Sequence, residues 1–284
     1  MLILHHNDLD GRCAAAIAMR SGYAKERLEK DEKIRVLEMD YKDPVQFDII
    51  KEREWVFILD FSLRPADFEK LKNITPNIVW IDHHETAMLY PYNVPELRGM
   101  RDAAYSGCEL SWLFFSPKDK TPHAVKHIGD RDTWAWKYGE TTAKVCEGIK
   151  IFPHSPDQPI WDDLLGRAKG FNAVAEAGQI ALKYKAQFCR DYLKLCSYET
   201  NFEGYPCLAI NLFSLGSETF LEKFNEYPIC ICYVHNGRKF QVSLYSKLVD
   251  LRDIATKYGG GGHKFAAGFV CETLPFKRID EQKA

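Results

Sequence analysis

The segment IVWIDHHET, residues 78–86, decides how the chain is read. Ile78–Ile81 is apolar at every position, and three of its four residues are β-branched. Side chains alternate between faces along a strand, so a run without a polar face is a strand covered on both sides. It ends abruptly in a carboxylate, Asp82, and two imidazoles, His83 and His84. The same design stands upstream. Trp55–Asp60 (WVFILD) is an apolar strand ending in Asp60, with a helix expected over Pro65–Lys72. Met1–His5 is a short apolar strand followed by the polar cluster His6–Gly11 and the helix-forming run CAAAIAM, and Ile34–Glu38 adds a further strand. Buried strands alternating with helices form a parallel sheet, whose ligands bind beyond the carboxyl ends of the strands. The polar clusters all fall at those ends.

Further along, GCELSWLFF after Ser106 is helical, capped by Ser106 or Gly107. Another helix leads through His123–Asp132 into IGDRDTWAW, and 152–160 is a proline-rich connection. Phe171–Tyr198 has the spacing of one long amphipathic helix. The character changes near Tyr205. CLAINL, ICICYVH and KFQVSLYS are strands, and Asn236-Gly237 between the last two is a hairpin signal. A helix, the run Gly259–Gly262 and a final strand close the chain. The expected organisation is α/β: a first domain over 1–165, a helical linker over 166–200 and a smaller second domain over 201–284.

The chain has 284 residues, 46% of them hydrophobic and 27% charged, and its net charge is −2. That suits a large core and excludes both intrinsic disorder and a broad basic surface for long duplex nucleic acid. A small anionic ligand in a local pocket remains compatible. MLILHHND is too polar for a secretory leader, and no stretch is apolar enough to span a bilayer. The nine cysteines are expected as reduced thiols in the cytoplasm. Cys230 and Cys232 alternate on an apolar strand and are expected on one buried face.

His6, Asp8 and Asp10 occupy alternate positions, which on an extended segment face one side. Converging carboxylates repel unless one is protonated or a cation joins them. Asp60, His83 and Asp130, at neighbouring strand ends, would complete a mixed oxygen and nitrogen shell of the kind that suits manganese, with magnesium or cobalt as substitutes. Five or six such ligands exceed what one catalytic ion takes from protein. Two ions sharing a carboxylate, roughly 3.5–4 Å apart, are the usual arrangement for cleaving phosphate esters. The bland alternative, a helix cap or surface histidine, fits any one cluster but fits four poorly. It is the reading given to Asp40, Asp43, His123, His127, His154 and His235. The glycine run is unsuited to a helix or strand interior. Gly260, Gly261 and Gly262 could instead offer N–H groups to a phosphate, with His263 as a donor. Arg12 could touch a phosphate or be solvated. Trp134 and Trp136 could stack on bases, but core packing is the stronger expectation for each.

In combination and order these motifs resemble the DHH phosphoesterase superfamily. HHNDLDG is similar to its first motif, ILDF to its second, Asp82-His83-His84 to the DHH triplet and IGDRD to its fourth. GGGGHKFAAGF resembles the signature of the DHHA1 domain. The resemblance implies a Rossmann-like DHH domain with a parallel sheet, a helical linker and a smaller α/β DHHA1 domain. It implies His6, Asp8, Asp10, Asp60, His83 and Asp130 as ligands of two manganese ions, with Asp60 as the bridge. His84 would face the substrate phosphate or leaving oxygen, and the Gly260–His263 loop the far end of the substrate. His84, Asp60 and Asp132 are the candidate catalytic groups. Two choices stay open: His5 against His6, where alternation favours His6, and Asp132 against Asp130, where Asp130 is preferred. Where oligonucleotide-cleaving relatives often carry an arginine before the glycine loop, Tyr245 and Lys247 stand here.

The resemblance is to oligoribonuclease or nanoRNase-like phosphodiesterases. The expected activity is hydrolysis of linear dinucleotides or short oligonucleotides to mononucleotides, without membrane attachment, and with a homodimer permitted. A cyclic-dinucleotide phosphodiesterase and a 3′,5′-bisphosphate nucleotide phosphatase are alternatives, and an inorganic pyrophosphatase ranks lower. A non-catalytic nucleotide-binding module is the alternative of a different class.

Overall fold

The structure, a computed structural model, describes residues 1–28, 32–92, 97–166, 170–213 and 215–279. The chain divides into two compact units, Met1–Leu182 and Lys183–Ala284.

The first unit contains, in order, β1 (Leu2–His6), α1 (Leu9–Arg20), α2 (Gly22–Lys25), β2 (Arg35–Met39), β3 (Val56–Leu59), α3 (Pro65–Ile74), β4 (Ile78–Ile81), α4 (Glu85–Met88), α5 (Gly107–Phe115), α6 (His123–Asp132), α7 (Glu140–Ile151) and α8 (Ile160–Leu165). The long α9 (Phe171–Cys196) begins here and crosses into the second unit. The four strands pair in parallel in the order β2-β1-β3-β4, with Leu4 beside Ile58 and Ile58 beside Trp80. Their apolar residues split by parity, as the pleat requires. Ile3, Phe57, Leu59, Val79 and Ile81 pack with α1, α5 and α6 on one face. Leu2, Leu4, Ile58 and Trp80 pack with Phe68 and Leu71 of α3 on the other. The expected parallel sheet, covered on both faces, is present.

The second unit carries β5 (Ser197–Phe202), β6 (Tyr205–Asn211), β7 (Ile229–His235), β8 (Phe240–Tyr245), α10 (Arg252–Lys257), β9 (Gly261–His263) and β10 (Ala266–Cys271). Its sheet runs β5-β6-β7-β8-β10-β9, with β6 and β7 parallel and the other pairs antiparallel. Cys230 and Cys232 share one buried face with Leu208 and Ile210, as alternation on β7 predicts, and all nine cysteines are free thiols. The β7–β8 hairpin closes through four residues, with Asn236 N donating to Lys239 O at 3.0 Å, rather than through Asn-Gly alone.

Two expectations are corrected. The glycine run is not purely a loop: Gly261–His263 forms an edge strand paired with Ala266–Gly268. Glycine suits it because the backbone lies almost in contact with β10. A Cβ on Gly262 would fall 2.5 Å from Ala267 Cα, and one on Gly260 would fall 2.0 Å from Gly268 O. Trp134 and Trp136 are absent from both hydrophobic cores of the first unit, and Trp134 is 58% exposed. Among the described residues no helix is long and apolar enough to cross a membrane.

Candidate metal centre

The site forms where β1, β3 and β4 end. Strand β1 stops at His6, so the extended alternation inferred for His6, Asp8 and Asp10 does not run through all three. Asp8 is instead the N-cap of α1, accepting from Gly11 N at 2.8 Å, and Asp10 lies in the first helical turn. Three elements of local geometry, a strand end, a cap and a helical turn, deliver the residues that the pleat alone would not.

Asp60 follows β3 at φ 52°, a conformation disfavoured for most residues but tolerated by Asp. It is 1% exposed, and neither carboxylate oxygen has a hydrogen-bond partner. Buried carboxylates are ordinarily satisfied, and one left bare costs a large desolvation penalty. On one side lie His6 and Asp8: His6 Nδ1 is 2.7 Å from Asp8 Oδ2 and 3.9 Å from Asp60 Oδ2. On the other, His83 Nε2 is 3.2 Å from Asp60 Oδ1 and 3.3 Å from Asp132 Oδ2. His6, Asp8 and Asp60 can bring one ligand atom each within 4.8 Å of one another, as can Asp10, His83 and Asp132, and Asp60, His83 and His84. These groups could hold divalent metal.

Protonation preferences report the same unneutralised charge. Burial, then the carboxylates of Asp10, Asp8 and Asp132, raises Asp60 well above the usual carboxylate range. Burial, then Asp10 and Asp8, pushes Asp132 up to about 9. Burial lowers His83, which favours the neutral imidazole that a metal requires. Asp8 is held down to about 2: burial opposes ionisation, but His6 and the Gly11 N–H outweigh it.

Several supporting contacts come from residues outside the motifs. Asp10 accepts from Gly107 N at 2.7 Å and Cys108 N at 3.0 Å, satisfying the free N–H groups that open α5. Ser106 caps that helix in a reciprocal box with Glu109. Asp82 is fully buried. It accepts from Ser62 Oγ and from His83 N at 2.8 Å, and its Oδ1 is 2.7 Å from His84 Nδ1. It thus fixes the orientation of His84 instead of ligating. The Tyr41 ring stacks on Phe61 and lies beside His6 and His84.

The open choices resolve in geometric terms. His6, not His5, reaches Asp8 and Asp60. His5 Nδ1 bonds His6 O, and His5 lines a separate cavity of about 370 Å³ with Met19, Val36 and Glu38. Asp132, not Asp130, stands beside His83; this corrects the preference for Asp130 as ligand. Asp130 turns into the protein at 4% exposure, where its carboxylate accepts from Lys137 N, Tyr138 N and Thr142 Oγ1. Arg12 is held by Glu38 at 2.7 Å and His154 at 2.6 Å. Gly260, Gly261, Gly262 and His263 belong to the second unit, at its exposed sheet edge.

Gly107 makes a sharp test of this packing. A Cβ there would lie 2.5 Å from Asp60 Cβ and 2.6 Å from its Oδ1. Gly107→Ala should destabilise the protein by about 1–3 kcal/mol through overpacking and weaken metal affinity by moving Asp60. Thermal denaturation and metal titration read the two effects; native values for both would show that Asp60 is not held against this helix.

Residues 1–130 match the DHH family, N-terminal domain. Members of that family are metal-dependent phosphoesterases. The DHH match stops two residues before Asp132. An uncharacterised protein of Acanthamoeba polyphaga mimivirus is 24% identical over 241 residues, and the chain spans only 56% of its length. Among solved structures, the pGpG-specific phosphodiesterase PggH from Vibrio cholerae aligns over 99% of this chain and 95% of its own, with TM-score 0.56 and 12% identity. RecJ from Thermus thermophilus, solved with Mn2+, aligns over 95% of this chain and 49% of its own, with TM-score 0.52 and 14% identity. At these identities the two structures carry the fold.

Proposed function

We propose that this chain is a divalent-metal phosphodiesterase that hydrolyses linear dinucleotides or very short oligonucleotides to mononucleotides. The observation that carries the reading is Asp60: a buried carboxylate with both oxygens bare, set between a His6–Asp8 pair and a His83–Asp132 pair. The donor set is imidazole and carboxylate without thiolate, which fits Mn2+ and also accepts Mg2+ or Co2+. Asp60 would bridge two ions, one held with His6 and Asp8, the other with Asp10, His83 and Asp132. When bound, such ions lower the pKa of water and stabilise charge on phosphoryl oxygens.

The chain's own residues supply position and a proton. Asp82 holds His84 at Nδ1 and orients the ring, which leaves Nε2 free to act as general acid toward the leaving oxygen. Gly107 N and Cys108 N hold the Asp10 carboxylate in place. The full-length alignment with a phosphodiesterase of pGpG supports a dinucleotide over a long strand. The test is a panel of linear dinucleotides, longer oligonucleotides, cyclic dinucleotides, 3′,5′-bisphosphates and pyrophosphate, assayed with manganese. Linear dinucleotides should give mononucleotides fastest. Preferential turnover of any other member, or of none, would refute the substrate assignment.

A further inference from the structure

We infer that Trp134 and Trp136 form a nucleobase-stacking platform beside the candidate metal centre, held in place by Asp130. The inference rests on the phosphodiesterase reading for its substrate. The platform itself stands on separate geometry.

Large aromatic side chains are normally buried, yet Trp134 is 58% exposed, and Trp136 is half-buried outside both cores. Both have left-handed backbones, φ 57° and 53°. For a bulky residue this conformation is disfavoured, and it persists only where surrounding structure enforces it. Asp130 enforces it. Its carboxylate accepts from Lys137 N at 2.6 Å and Tyr138 N at 3.2 Å, and its backbone carbonyl accepts from Ala135 N at 3.1 Å. The loop is therefore pinned from inside by one buried carboxylate, while the Trp134 indole is exposed and Trp136 is half-buried.

The rings are also arranged. Their centroids are 5.2 Å apart at 78°, and the Arg131 guanidinium lies 4.7 Å from one and 4.8 Å from the other. Exposed aromatic faces beside a cation are the means by which single-stranded nucleic acids are held without base-edge readout. The occupant is fixed by position. Trp134 is two residues from Asp132, so its Cα lies within ~7 Å of the Asp132 Cα. An aromatic ring bonded close to a phosphoester, which is to say a nucleobase of the substrate, would lie at that range.

The substitution Trp134→Gly separates function from folding, because glycine adopts a positive φ without strain. It should keep or raise the melting temperature while raising KM for a linear dinucleotide about tenfold or more, as loss of a base stack does. Trp134→Phe should restore most of the affinity. KM for an abasic dinucleotide should not change. As a reading independent of turnover, a nucleoside 5′-monophosphate should shift the indole N–H resonances of Trp134 and Trp136, assigned with the Phe variants. Resonance shifts in a protein that cleaves no dinucleotide would support the platform and overturn the phosphodiesterase reading. Dinucleotide cleavage with an unaltered KM in Trp134→Gly, an equal change with the abasic substrate, or an absence of resonance shifts would each overturn the platform.

Discussion

Asp60→Asn should abolish hydrolysis at every metal concentration while making the metal-free protein more stable. Asparagine tolerates the positive φ at this position, so the backbone need not move. What changes is charge. Metal held at this site would supply several kcal/mol of transition-state stabilisation, so turnover should fall by at least ~10³-fold when its central ligand is lost, given ~1.4 kcal/mol per tenfold. Without metal the same carboxylate is a liability, bare and surrounded by Asp8, Asp10 and Asp132. The sign of the pH dependence follows. A carboxyl whose folded pKa is raised stabilises the fold below its unfolded pKa, and that contribution is lost as pH rises through the folded value. Asp60 and Asp132 are both raised, Asp132 to about 9. Metal-free wild type should therefore lose stability from about pH 4 upward, in the range between the ordinary carboxylate pKa and that of Asp132. Manganese should reverse the loss, most strongly at the alkaline end, because the ions bind the deprotonated ligands. The Asp60→Asn variant should show a shallower slope and a much smaller manganese shift. Calorimetry in chelator and in manganese at pH 5 and pH 8 measures all of this. Equal manganese shifts in the two proteins would remove Asp60 from the centre.

The sheet was legible because its signal is local and strong. IVWI and VFIL have no polar face, and only a doubly covered strand tolerates that. The carboxylates and imidazoles that terminate them were legible for the same reason, since a change from apolar to charged within one residue marks the strand end. What sequence could not convey was how the chain turns after each strand. His6, Asp8 and Asp10 look evenly spaced, but a cap and a helical turn, not a pleat, set their directions. Gly107 shows no motif, because its role is to be absent as a side chain where α5 meets Asp60. Asp82 looks like any member of its triplet until Ser62, distant in sequence, is seen bonded to it. The Trp134–Trp136 loop was misread because hydrophobicity alone predicts burial, whereas its backbone is governed by a carboxylate at Asp130.

Asp132→Asn and Asp130→Asn should separate cleanly, although the residues are two apart in one motif. Asp132 faces His83 at 3.3 Å and carries a pKa pushed up to about 9, so its ionised form lacks a neutralising partner. Asp130 is shifted the other way. Burial opposes its ionisation, but Thr142 and the Lys137 and Tyr138 N–H groups overcome that and hold it below the usual carboxylate range. A group with a depressed folded pKa stabilises the protein above its unfolded pKa and loses that contribution as pH falls through the folded value. Asp130 is therefore a hydrogen-bonded structural anion, and Asp132 is a carboxylate whose ionised form its acidic neighbours disfavour. Losing Asp132 should lower kcat/KM by roughly 10³-fold, several kcal/mol of metal-mediated stabilisation, with little loss of fold. Losing the Asp130 charge should cost about 1–3 kcal/mol of stability through weakened buried hydrogen bonds. It should leave metal affinity near native and loosen the loop that carries Trp134 and Trp136. Metal titration and denaturant unfolding of both variants distinguish the roles. Loss of metal binding in Asp130→Asn alone would reverse the assignment and place the ligand on the side of the helix that the structure shows turned inward.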